Sequence, residues 1–202
     1  MDGPELLRLY EKGKRDFQNH DLAGIHLHDV ELKGINLSYS NLAGANLPGI
    51  NFTNADLRSV NLVSANFNAC RLNSTNLSHA NLMDANLRDG NLGNANLSFT
   101  NLSHAILDHS LLIYTDFSHS TLSYTSMTYV DLSHAILNNC TLNYANLSHS
   151  DLTYALLKNS NLAYADLSFC NLTDTDFAQA RLYSTNLEGT ACSIPSHEQS
   201  HF

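Results

Sequence analysis

From Phe17 to Leu187 every fifth residue is Leu, Phe or Met without a skipped step, 35 positions of which 29 are Leu, with Phe17, Phe52, Phe67, Phe117, Phe177 and Met127 as the variants. Two residues before each, the 33 positions from Ile25 to Thr185 are all small or β-branched, as at Ala45, Ala55, Cys70, Thr75, Ala80 and Ala85. One residue before, 24 of the 35 are Asn or Asp. This period fits neither regular element. In an α-helix one pentad turns the side chain by about 500°, which spreads the leucines over every face. In a flat strand an odd period throws successive leucines onto opposite faces. Each pentad must therefore contain its own bend, so that the Leu and the small residue before it return to the same side. A chain that keeps bending in one sense closes into a coil. Stacked coils bury the inward pair, join backbone groups of neighbouring coils at about 4.8 Å and leave the other residues of each pentad facing water.

The inward pair is matched in size. A second Leu in place of the small residue would overfill a narrow interior, so Ala85→Leu should cost about 1 to 3 kcal/mol. Asn and Asp suit the position before Leu because their short side chains bond nearby backbone groups at a bend.

Stretches such as Ala80-Asn81-Leu82-Met83-Asp84-Ala85-Asn86-Leu87 resemble the A(D/N)LXX signature of the pentapeptide-repeat family, and the resemblance extends over residues 15–190. It implies a right-handed quadrilateral parallel β-helix with four pentads per coil, hence an all-β solenoid. Residues 15–189 are expected to form this body. Residues 1–14 precede it, with a short capping helix over 3–12: Asp2 is an N-cap candidate, Leu6, Leu7, Leu9 and Tyr10 follow, and Gly13 is a stop. Residues 190–202 form a C-terminal tail, open to disorder, in which only Ile194 and Phe202 are large apolar groups and Pro195 breaks any helix. If that tail leaves the last coil bare, its open edge beside Leu172, Phe177, Leu182 and Leu187 favours a homodimer through the C-terminal end; if the tail folds back, it does not.

The balance of 19 acidic against 10 basic residues, a formal charge of −9, argues against direct nucleic-acid binding, which needs Lys and Arg to displace counterions. No signal-peptide pattern lies near Met1, and no apolar run approaches the roughly 20 residues of a membrane span, so a cytoplasmic protein without membrane contact is expected. Cys70, Cys140, Cys170 and Cys192 have no CxxC spacing; they indicate neither a disulfide framework nor a zinc site. His26-Leu27-His28-Asp29 is the densest part of an 11-residue histidine complement, but no further ligand completes a set there, and His197 and His201 lie in a polar tail. No nucleophile motif or glycine-rich phosphate loop interrupts the repeats. Neither catalytic residues nor a cofactor is expected.

The position two after Leu carries the most unusual signal. From Phe99 to Phe169, 13 of 15 such residues are Tyr, His or Phe, whereas the preceding pentads mostly use Gly, Ser, Asn and Asp there. With four pentads per coil these align as outward ladders: His104, Tyr124, Tyr144 and Tyr164; His109, Tyr129, His149 and Phe169; Tyr114, His134 and Tyr154. Stacked rings can stabilise neighbouring coils. The same half also carries outward Ile106, Leu111, Ile113, Ile136 and Leu156, so the ladders are also a candidate interaction surface for a protein partner whose identity the residues do not give. The expected function is a non-enzymatic scaffold for protein–protein interaction. The family resemblance also implies an alternative, since some members are acidic rods that mimic duplex DNA and bind type II topoisomerases such as gyrase. Mimicry of that kind needs columns of carboxylates, and here only Asp131 and Asp151 are expected to be neighbours in one column.

Overall fold

A computed structural model describes residues 1–191. Thirty-two parallel bridges, from Asp16↔Asn36 to Asn171↔Ala191, join each residue before Leu to its counterpart 20 residues on, so one coil holds four pentads. The coil is a β-helix reduced to its minimum. Each pairing is a single bridge between turns, and among the described residues no longer strand forms. The expected all-β solenoid is thus refined: the bend in every pentad leaves room for one paired residue per side.

Backbone bookkeeping explains why this shape holds. In the pentad around Leu82, the Ala80 N–H closes a turn onto Leu77 O (3.0 Å) and Asn81 donates down to Val60 O (3.0 Å). Leu82 and Asp84 donate up to Asn101 O (2.7 Å) and Ser103 O (3.0 Å). The remaining N–H, on Met83, goes to Asn81 Oδ1 (3.3 Å). All five donors of the pentad are therefore used, which buried backbone demands. Asn or Asp before Leu supplies the acceptor that the neighbouring coils do not. Its amide also links coils, as in Asn61 to Asn41 (3.0 Å) and Asn66 to Asn46 (2.8 Å).

Inside, the Leu-position residues from Phe17 to Leu182 form one buried column set with the small residues. Most hydroxyls at the small position donate to the carbonyl of a Leu-position residue in the coil before, as Thr75 to Phe52 O (2.7 Å), Ser120 to Leu97 O (2.7 Å) and Ser150 to Met127 O (2.9 Å), whereas Thr100 and Thr125 donate to Leu97 O (2.7 Å) and Leu122 O (2.8 Å) of their own turn. Gly90 marks the size limit, because a Cβ there would lie 2.8 Å from Leu87 O and 3.2 Å from Cys70 Sγ. Desolvation pushes the thiols of Cys70 and Cys140 up to about 12 and that of Cys170 to about 11, so they act as inert filling.

At the N-terminal end lies α1, Gly3–Glu11, capped by Asp2, whose side chain accepts from the Glu5 N–H at 2.9 Å. Leu6 is buried in the core cluster and Tyr10 donates to Lys33 O (2.9 Å), so the helix lies over the first coil. The questions raised by the tail, including Cys192, Ile194, Pro195, His197, His201 and Phe202, fall outside the described residues.

Candidate functional site

Each pentad turns through the two residues after Leu. The second of these has a positive φ in all 35 pentads, 30 of them at non-glycine residues, with values near +60°. A bond from the third residue after Leu back to the Leu carbonyl, with positive φ at the second residue alone, is the pattern of a type II turn, whose natural occupants there are Gly and Asn. Up to Asn94 small or short polar residues prevail, with Gly, Asn, Asp or Ser at 13 of 16 corners. From Phe99 to Phe169 the corner is Tyr, His or Phe in 13 of 15 pentads, and a bulky side chain in this region costs about 1–2 kcal/mol.

What accompanies that strain is ring stacking. His104, Tyr124, Tyr144 and Tyr164 lie with successive centroids 5.1, 4.9 and 4.8 Å apart and planes within 7°. His109, Tyr129, His149 and Phe169 stack at 5.3, 4.8 and 5.0 Å. Tyr114, His134 and Tyr154 stack at 4.7 and 5.0 Å. The structure thus brings together every residue of the three expected ladders, and adds a fourth, His79, Phe99 and His119, at 5.0 and 4.8 Å. Sequence reasoning missed it because Asn139 and Asn159 interrupt that corner, although the 20-residue offset between His79, Phe99 and His119 is readable in the sequence. The ladders end differently. Tyr183 packs edge-on against Tyr164 at 5.4 Å, and burial together with this neighbour raises the Tyr164 phenol. Phe169 spreads over Gly189, where a Cβ would come within 2.5 Å of the ring.

The eight Tyr and Phe of these ladders are 46–56% exposed, so one ring edge of each reaches solvent while the faces meet their neighbours. Ile106 and Leu111 are exposed beside them, and Ile113, Ile136 and Leu156 are half-buried.

Other chemistry is sparse. Asp108 is buried and accepts from Ser126 Oγ (2.6 Å), the Thr128 N–H and hydroxyl (both 3.0 Å) and Arg88 (2.7 Å). Burial works to raise this carboxyl, but these bonds and the Arg88 charge outweigh it and hold it below the ordinary carboxylate range. His26 and His28 are exposed on either side of buried Leu27. Among the described residues, no group of three or more His, Cys, Asp and Glu is placed to hold a metal ion, and no helix is long and apolar enough to cross a membrane. A cleft of about 420 Å³ lies between the start of α1 and residues 21–26, and another of about 390 Å³ lies over Gln179–Tyr183.

Comparison with known proteins agrees with this architecture. The chain matches the family model for pentapeptide repeats over residues 35–73, 50–89, 75–112, 91–128, 100–139, 115–153 and 150–189. HetL, a pentapeptide repeat protein involved in heterocyst differentiation regulation in the cyanobacterium Nostoc sp. strain PCC 7120, is 30% identical, with a TM-score of 0.54 over 96% of this chain and 95% of that one. That likeness implies a right-handed coil. A pentapeptide repeat protein of the Arabidopsis thaliana thylakoid lumen is 26% identical over 45% of this chain and 63% of that one, with a TM-score of 0.44. QnrB1, a plasmid-mediated fluoroquinolone resistance protein, is 14% identical over 92% of this chain and 96% of that one, with a TM-score of 0.45. Neither of these two bears on function. No curated protein sequence matches the chain.

Proposed function

Because the chain belongs to the pentapeptide-repeat family, we propose that it is a non-enzymatic scaffold whose aromatic half, residues 99–169, docks a protein partner. One observation carries this reading: bulky rings occupy left-handed corners that Gly or Asn would occupy with less strain. A stacked aromatic pair contributes about 0.5–1.5 kcal/mol, against about 1–2 kcal/mol for the backbone conformation, so the two terms nearly cancel. Stability alone does not account for the ladders. Half-exposed Tyr, His and Phe in parallel rows, with Ile106 and Leu111 among them, are what an interface core needs. HetL, a member with a regulatory role, is a relative that spans nearly the same length.

The test is affinity capture from the native cell with wild type and with Tyr124→Asn/Tyr144→Asn/Tyr164→Asn. A partner retained by wild type and lost with the triple variant, at unchanged folded content, supports docking on the ladder. Equal retention by both proteins contradicts it. The rival reading, an acidic mimic of duplex DNA bound by gyrase, has less behind it. Among the described residues only one bridge joins two acids, and Asn, Ser, Thr, Tyr and His make up most of the outward columns.

A further inference from the structure

Among the 32 bridges, Asp131↔Asp151 alone joins two carboxylates. Acids elsewhere in this position are commonly neighboured by an Asn whose amide donates to them, as Asn41 to Asp21 (2.9 Å), Asn51 to Glu31 (2.7 Å) and Asn186 to Asp166 (3.0 Å). Asp131 has no Asn beside it in the column, and the amide of Asn171, the other neighbour of Asp151, donates to Thr153 Oγ1 (2.8 Å) instead. One oxygen of Asp131 accepts from the Ser133 N–H (3.0 Å) and hydroxyl (2.7 Å), and one of Asp151 from the Thr153 N–H (2.9 Å) and hydroxyl. Among the described residues, no hydrogen bond reaches the second oxygen of either carboxylate, and neither forms an ion pair. Like charges facing each other across a bridge are destabilising, and Asn, this chain's commonest residue at the position, would remove the repulsion.

The pair sits in the middle of the exposed aromatic half. In its column it follows Leu111, 45% exposed, and it lies between the ladder of Tyr129 and His149 and that of His134 and Tyr154. No Lys or Arg occurs between Arg88 and Lys158, and after Arg88 the chain has two basic residues against ten acidic ones. Apolar, aromatic and uncompensated negative surface therefore coincide on one sheet face.

We propose that the face bearing Leu111, Asp131 and Asp151 is the docking surface for an extended basic segment of a partner protein, with an Arg side chain received by the two carboxylates. This deepens the scaffold reading and rests on it. A guanidinium offers a fork of donors to the two free oxygens, while its stem covers Leu111 and the ring edges on either side. Cation–π recognition plays little part, because the ring faces within each ladder are already covered by their neighbours.

The probe is a fluorescent peptide of alternating Arg and Ser, with a citrulline counterpart of the same length, titrated by anisotropy. Wild type should bind the Arg peptide, more weakly as salt rises, and bind the citrulline peptide at least about tenfold less. D131N/D151N should lose about tenfold in affinity or more while melting at or above the wild-type temperature, whereas D16N/D21N, which removes the same charge elsewhere, should stay within about twofold. Equal losses in both double variants, an unaffected D131N/D151N, or equal binding of the citrulline peptide would each overturn the proposal. So would absence of Arg-peptide binding to wild type, and in that case capture by the tyrosine triple variant still decides separately whether the ladders dock a partner.

Discussion

The two halves of this solenoid share one backbone and differ in almost everything outside it. Up to Asn94 the left-handed corner is Gly, Asn, Asp or Ser in 13 of 16 pentads, while from Phe99 to Phe169 it is aromatic in 13 of 15. The residue before Leu is Asn or Asp in 15 of 18 pentads from Asp16 to Asn101, and in 9 of 17 from Ile106 to Asn186. Eight basic residues stand against nine acidic ones up to Arg88, and two against ten beyond it, so nearly all the net charge belongs to the second half. Yet the 20-residue bridges and the positive corner φ run through both without change. The inward Leu and its small partner are therefore sufficient to set the coil, and the outward residues are free to serve another purpose. Where Ser126 and Leu156 stand in place of Asn, the capping duty moves: the Thr128 N–H goes to Asp108 (3.0 Å) and the Lys158 N–H to Asn138 (2.9 Å), both one coil below.

The sharpest way to break this comparison is to cut the core equally in both halves. Leu62→Ala and Leu132→Ala remove fully buried side chains and should each cost about 2–5 kcal/mol in urea unfolding. A clearly smaller loss at Leu132 would mean that the outward ladders, not the inward column, hold the second half.

Legibility in the sequence divides along the same line. The inward register, the bend and the role of Asn81 and its equivalents follow from a period that no helix or flat strand accommodates. The period alone does not give the number of pentads per coil, because closure depends on the angle of each bend, which the bridges fix and residue spacing does not. The left-handed corner was half visible: Gly24, Gly34, Gly44 and Gly49 at one position signal a positive φ, but Tyr and His at the same position in later pentads conceal it. Single bridges in place of strands are a matter of backbone geometry, which side-chain pattern does not encode.

A second, smaller effect concerns the buried charge at the boundary between the halves. Asp108→Ala leaves Arg88 and the Thr128 N–H without their partner and should cost about 1–3 kcal/mol near neutral pH. Because the folded carboxyl is held below its ordinary range, its contribution is complete above the unfolded value and is lost as pH falls through the depressed folded one. Melting of the variant and wild type should therefore converge in acid; a constant gap across pH would show that packing, not charge, is what Asp108 supplies.

Transplanting an aromatic corner into the first half isolates its strain. Gly44→Tyr has Gly24 and Ser64 as neighbours one coil away and gains no ring to stack on, so it should destabilise by about 1–2 kcal/mol, read as a lower melting temperature. An unchanged melt would mean that the corner tolerates Tyr without cost.

The most direct measurement is the melting temperature of Tyr124→Asn/Tyr144→Asn/Tyr164→Asn. Three stacked contacts and the edge contact to Tyr183 are lost while three strained corners are relieved, so the net change should be small, within about 3 °C of wild type for a chain of this size. A fall of about 8 °C or more would show that the ladder is there to hold the coils together, and would contradict its assignment as a surface kept for a partner.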